Sequence, residues 1–379
     1  LSEFYKGGSR VPSNISGGSV PTSGTSSLSN FYGVDLAPTG AKVGLSDAFF
    51  DTTGNGTDAS WATYTPDVSS FAGCKVRLVW YIRTIAGGRG KGSELNQLYY
   101  PTGIALDPSG DLYVSDMYNH RIQRWKPGAT VGITAAGGNG FGYGPSQLEE
   151  PGKIDIDSQG NIYIADTGNN RIQKWEYGGL TGSTVAGGNG MGTESNQLNK
   201  PFGIAVDNSG TIYISELGNH RVTKWKAGAS TGEVIAGGNG EGNKPNQLAI
   251  PMGIAVNNKG DLFVADTYNH RVQLWEKGAT KGRTLISGKD FKDDSQINYF
   301  SGISIANETT LYITDYQQQR IIQYNLDSDT FQIIMANDSL ENEEDKLSQP
   351  YQTVVDTMGD LIIADAKKNR IQKRKIETE

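Results

Sequence analysis

The chain has 379 residues, 50 of them glycine, and its net charge of −7 falls entirely after residue 83: residues 1–83 carry six basic and six acidic side chains, and residues 84–379 carry 28 and 35. An acidic body is a poor match to a phosphate backbone, which is bound by clustered Lys and Arg, so no nucleic-acid partner is expected. One cysteine, Cys74, excludes an intrachain disulfide and a cysteine-based zinc site, and no apolar run reaches the roughly 18 residues of a membrane span.

Residues 1–33 are rich in Gly, Ser and Pro and contain an echo, Leu1-Ser2-Glu3-Phe4-Tyr5-Lys6-Gly7 and Leu28-Ser29-Asn30-Phe31-Tyr32-Gly33. Aromatic pairs on a polar, turn-rich segment suggest docking, so Phe4, Tyr5, Phe31 and Tyr32 are candidate self-assembly residues. The pair of LSxFYxG segments resembles short stretches of bacteriophage tail and other virion structural proteins, which implies a place in a filament or phage tail. Residues 34–83 alternate short apolar runs with turns and end in Lys75-Val76-Arg77-Leu78-Val79-Trp80, a period-two strand signal. They read as a small β-rich module.

From Thr84 to the C-terminus one pattern recurs about every fifty residues. Its arginine marks the spacing: Arg121, Arg171, Arg221, Arg271, Arg320 and Arg370. Such a period marks a solenoid, propeller or array. In the first copy, Gly103 to Asp107 reads as a strand, Pro108-Ser109-Gly110 as a turn, Asp111 to Asp116 as a second strand and Arg121 to Lys126 as a third. Ile133 to Ala136 is a fourth before a glycine loop. Four short antiparallel strands, radially repeated, make a β-propeller. The last copy stops three strands in, and an orphan strand near Thr84 has no unit of its own. Joining them closes a six-bladed ring and removes an open edge.

The runs Tyr118-Asn119-His120-Arg121-Ile122, Gly218-Asn219-His220-Arg221-Val222 and Tyr268-Asn269-His270-Arg271-Val272 resemble the NHL repeat, over residues 84–379. Copies five and six depart from it, with Gln319 in place of Asn and Phe300-Ser301 in place of the proline step. The resemblance implies an all-β, six-bladed propeller. It also brings two enzyme classes into view, zinc-dependent amidating lyases and calcium-centred lactonases. The positions after the proline, Thr102, Gly152, Phe202, Met252, Ser301 and Tyr351, hold no histidine for the first. First-strand positions are mainly Ile, Ala and Val, which does not suit the second.

The six acid and arginine pairs, among them Asp116 with Arg121, Asp166 with Arg171 and Asp266 with Arg271, recur in step and read as structural hairpin devices rather than catalytic groups. His120, His220 and His270 occupy equivalent positions and do not converge on one ion. What differs between copies lies around the channel mouth (Phe202, Met252, Tyr351) and in the loops (Phe141, Tyr143, Phe291), which are the candidate ligand-binding residues. The sequence thus leads to the expectation of a non-enzymatic binding scaffold without cofactor or metal. It would be extracellular or on a virion surface and recognise a protein or glycan, with residues 1–33 as docking segment, 34–83 as module and 84–379 as propeller.

Overall fold

The computed structural model describes residues 3–6, 9–12, 32–37, 41–45, 75–79, 82–291, 298–337, 340 and 342–375. They fall into two compact units, one of residues 1–83 with 374–379 and one of residues 84–373. The first is an antiparallel sheet in the order Ser9–Pro12, Glu3–Lys6, Ala41–Leu45, Tyr32–Ala37, Lys75–Val79. Strands from within residues 1–33 therefore share one sheet with strands from residues 34–83. Phe4 and Tyr5 lie in the second of these strands and Tyr32 opens the fourth, while their side chains, and Phe31 altogether, are outside the described residues.

The second unit is a six-bladed β-propeller. Among the described residues six four-stranded sheets follow one another, and the last takes its outer strand, Ile82–Gly87, from the start of the propeller segment, beside Arg370–Arg374. The ring closes as the strand count requires. Ala86 of that strand is buried in a core with Leu98, Ile104, Val114 and Ile371, so the seam between the last and first blades is packed like the other interblade cores. Those cores hold Ile154 and Ile164 against Tyr113, and Ile204 and Ile214 against Tyr163.

Within a blade the strands run slightly differently from the sequence reading. The first begins at its proline, as Pro101–Leu106, and the third ends at tryptophan, as Arg121–Trp125. Asp107 ends the first strand because its carboxylate accepts the N–H groups of Ser109 and Asp111 at 2.9 and 3.0 Å, bending the chain into an Asx turn. Trp175 closes the third strand of blade two, paired with Gly182. A Cβ at Gly182 would stand 2.4 Å from the Trp175 ring, so only glycine lets the ring lie flat on the fourth strand.

Pro151, Asp166, Arg171 and Gly187 stand in one row across the four strands of blade two, at the end of the blade that carries the hairpin between strands two and three. There Asp166 accepts Arg171 Nε at 2.7 Å, Asn169 Nδ2 at 2.9 Å and the Glu149 N–H at 2.7 Å. The rest of the Arg171 guanidinium donates to the Tyr143, Gly144 and Gln147 carbonyls of the loop that enters the blade. The same acid and arginine pair forms in all six blades, at 2.7 to 3.1 Å. Blade five differs: Arg320 donates to Asn298 Oδ1, and the Phe291 ring lies 3.8 Å from its guanidinium.

A second repeated link joins neighbouring blades. The residue before each arginine adopts a left-handed backbone, with φ between 51° and 55° in His120, Asn170, His220, His270, Gln319 and Asn369. Rings or amides at this position accept an N–H from the next blade: Glu150 on His120 Nδ1, Lys200 on Asn170, Ile250 on His220 Nδ1. Asn369 accepts the Tyr100 N–H at 3.0 Å and carries the series across the seam.

Because Asp166 is fully buried, removing its arginine leaves an uncompensated carboxylate. Arg171→Ala should lower stability by about 3–5 kcal/mol, seen as a shifted urea midpoint with unchanged slope. Arg171→Lys should recover only part, since an ammonium cannot span the carboxylate and the loop carbonyls together. A loss below about 1 kcal/mol for Arg171→Ala would show that the pair does not hold the blade.

Candidate functional site

The first strands line the propeller axis, and their approach is set by glycine. Gly103, Gly203, Gly253 and Gly302 occupy one register; a Cβ at Gly203 would meet the Met252 carbonyl at 2.2 Å and one at Gly302 the Tyr351 carbonyl at 2.7 Å. Two blades break this rule, with Gln352 and Lys153. Gln352 turns sideways and accepts the Ile104 N–H at 3.1 Å.

Lys153 crosses the axis. Its ammonium donates to the Ser301 carbonyl of blade five, opposite in the ring, at 2.6 Å, and lies 3.0 Å from the point where a Cβ on Gly253 would stand. Burial without a counter-ion pulls its pKa down to about 7. Two residues on, Asp155 replaces the Ala, Ser or Val of the other blades. It turns to blade three and accepts the Val206 N–H at 2.7 Å and its neighbour Ile156 N–H at 2.8 Å. Burial pushes Asp155 up to about 6, against those two donors, and Asp157 adds to the rise. Among the described residues Lys153 and Asp155 form no ion pair.

Above this layer the mouth is covered by aromatic rings. Phe202 and Tyr351, from opposite blades, face each other with centroids 6.2 Å apart. Gly152 makes room for Phe202, since a Cβ there would meet that ring at 3.0 Å. From Tyr351 the rings continue to Tyr100 at 5.6 Å and then Tyr118 at 5.4 Å, and on the other side to Tyr316 at 5.3 Å and Tyr299 at 6.2 Å. Burial raises the Tyr351 phenol far above its usual range, helped by the Tyr100 hydroxyl beside it, so it stays a neutral donor. The arc spans about five ring contacts of the 4.5 to 7 Å kind that aromatic pairs favour.

The candidate ligand residues separate on this map. Phe202, only 4% exposed, and the half-buried Tyr351 and Met252 belong to the mouth. Phe141 is 69% exposed at a loop tip beside His120. Tyr143 stands over the Arg171 guanidinium and donates its hydroxyl to the Gly188 carbonyl of the neighbouring loop. Phe291 is corrected: it is buried with Phe331 and Arg320 in the core between blades four and five, so its ring is not presented to a ligand. Missed by the sequence were Tyr100, Tyr118, Tyr299, Tyr316, Lys153 and Asp155. The signal for the last two was present: Pro151-Gly152-Lys153-Ile154-Asp155 interrupts the Pro-x-Gly-Ile-Ala pattern of its neighbours.

Among the described residues no three His, Cys, Asp or Glu side chains converge as metal ligands. No described helix is long and apolar enough to cross a membrane. On the opposite face, a polar cavity of about 360 Å³ lies between blades two and three. Its Asp157 and Asp207 are engaged by their own Asx turns.

Four segments, residues 98–125, 148–175, 198–225 and 248–274, match the family model for the NHL repeat. No curated protein matches the chain in sequence. Among solved structures, a gluconolactonase from Xanthomonas campestris aligns with 14% identity and a TM-score of 0.59, over 79% of this chain and 90% of that one. A protein of unknown function from Bacteroides thetaiotaomicron aligns with 13% identity and a TM-score of 0.59, over 80% of each chain. A streptogramin B lyase aligns with 14% identity and a TM-score of 0.50, over 79% of this chain and 98% of that one. These matches give no support to a resemblance with virion proteins. They also correct the expectation of a non-enzymatic scaffold: proteins of similar fold include a gluconolactonase and a streptogramin B lyase, so a repeated framework does not mark a chain as inert.

Lys153 and Asp155 give stability opposite pH dependences. The unfolded chain holds the lysine proton up to the ordinary 10.5 while the folded chain releases it near 7, so stability rises with pH between the two. Folded Asp155 keeps its proton to about 6 where the unfolded side chain loses it near 3.8, so stability falls across that interval. Lys153→Met should therefore stabilise the protein by about 3 kcal/mol at pH 6, after subtracting the lost hydrogen bond, and should flatten the alkaline rise in urea midpoint. An unchanged alkaline limb in Lys153→Met would mean the amine is not buried as a cation.

Proposed function

For a chain whose first four blades are NHL repeats in a closed six-bladed β-propeller, we propose the function of an enzyme of the hydrolase or lyase class, acting on a small ring-bearing substrate at the axial mouth. The observation that carries this reading is the aromatic arc from Tyr118 through Tyr100 and Tyr351 to Tyr316 and Tyr299, set directly above the Lys153 and Asp155 layer. Binding sites combine apolar and aromatic walls with a few convergent polar groups, and groups of shifted pKa concentrate where chemistry is done. At the axial mouth both occur together.

A sugar-derived lactone suits such a mouth. Its C–H face stacks on phenol rings while its hydroxyls reach the tyrosine hydroxyls, and its neutral charge avoids a clash with a protein of net charge −7. The shared fold with a gluconolactonase supports the same substrate class. The glycan partner expected from the sequence becomes, in this reading, a small sugar-like molecule held at the axis. Self-assembly through residues 1–33 and an extracellular setting stand as separate proposals, resting on the sequence of that segment.

The test is proton release on ring opening of gluconolactone and smaller lactones, followed in a pH-stat with the full chain. Tyr118→Ala and Tyr316→Ala should each raise KM about ten-fold, a loss near 1.4 kcal/mol, while Phe141→Ala and Met191→Ala at the exposed loop tips should leave it unchanged. Equal effects from both groups would place recognition on the loop tips. Absence of any lactone turnover together with no saturable shift of the mouth tyrosines in NMR titration would remove this reading.

A further inference from the structure

Lys153 has an environment that structural support alone does not require. Its amine is held by one neutral acceptor, the Ser301 carbonyl at 2.6 Å, and burial is the only cause of its lowered pKa, with no charged group contributing. One of its neighbours is Gly253, which has no side chain, and the next layer toward solvent consists of Phe202, Met252 and the half-buried Tyr351. A methionine or leucine would fill the same volume without the cost of burying an amine. A desolvated lysine with no charged group against it is the arrangement in which an amine serves as a nucleophile toward carbonyl carbon.

We propose that Lys153 Nζ is a covalent site for a small aldehyde or ketone that enters past the mouth tyrosines and condenses with the amine to an imine. The Nζ lone pair attacks the carbonyl carbon, a C–N bond forms, and the oxygen takes up a proton to give a carbinolamine. The hydroxyl then leaves as water while the second N–H proton is released, giving C=N. One water is produced per imine, and no oxidant or reductant takes part. Such an imine withdraws electrons from the adjacent carbon, which is the chemistry a lyase needs to break a bond there. The proposal rests on the axial mouth as the entrance for ligand, and within the hydrolase or lyase reading it favours the lyase branch.

Glycolaldehyde with sodium cyanoborohydride at pH 7 traps the imine as a hydroxyethyl amine, located by peptide mass mapping of the intact, folded protein. Lys153 should be labelled at least about five-fold faster than Lys226 and Lys277, which are exposed and outside the axial layer. Lys153→Arg keeps a donor toward Ser301 and should stay folded by circular dichroism with the fast adduct gone. Labelling of Lys153 at or below the rate of the exposed lysines in the folded protein would overturn the proposal. The two readings fail separately. Fast labelling of Lys153 without lactone turnover removes the lactone substrate alone, and lactone turnover without labelling removes the imine alone.

Discussion

The buried carboxylate at the end of each second strand is the constraint on which the propeller depends. Dehydrating such a group costs several kcal/mol, so it must be met by donors from fixed directions. In blade one Asp116 takes them from three segments: Arg121 Nε at 2.7 Å, Asn119 Nδ2 at 2.8 Å and the Tyr99 N–H at 2.6 Å. Burial still raises its pKa against those donors. One group thereby fixes the third strand, the hairpin and the incoming loop relative to one another. Repeated six times, it makes the mouth face a rigid platform on which side chains can differ without moving the backbone.

Much of this was legible in the sequence because it is local or strictly repeated. Period-two alternation, the Asp107 type of turn and the fifty-residue spacing of arginine define the blade, and the unpaired strand at Thr84 defines the closure. The aromatic arc was not legible, because it joins blade one to blades five and six: Tyr100 and Tyr351 are 251 positions apart and meet only when the ring closes. Phe291 misled for a related reason. It sits in what is a loop in other copies, but in the core between blades four and five its ring is covered by the Arg320 guanidinium. The residue before each arginine is histidine in only three of the six blades. Its left-handed backbone and its bond to the next blade explain why Asn serves as well as His there.

The axis obeys different rules from the blades. Near the centre of a ring the strands converge, and backbone approach, not side-chain volume, limits the packing, which is why glycine dominates one register. Polar side chains placed there, Lys153 buried and Asp155 and Gln352 half-buried, lean on backbone groups for their hydrogen bonds. Gln352, Asp155 and Lys153 each solve this by bonding a main-chain group of another blade. Charge is then left uncompensated, and it appears as two shifted pKa values rather than as an ion pair.

Lys153 and Gly253 form a matched pair that neither blade reveals alone. The amine occupies the space in front of a residue without a side chain, 3.0 Å from where a Cβ would stand, and ends on the opposite blade. A lysine at this register in a second blade would have to share the same few ångströms of axis with another cation, and a side chain at Gly253 would displace the first. The axis therefore admits one such amine. A frame with six-fold repetition offers six copies of its acid and arginine pair, and this crowding is the physical means by which it holds one buried amine out of step with the repeat beneath its aromatic mouth.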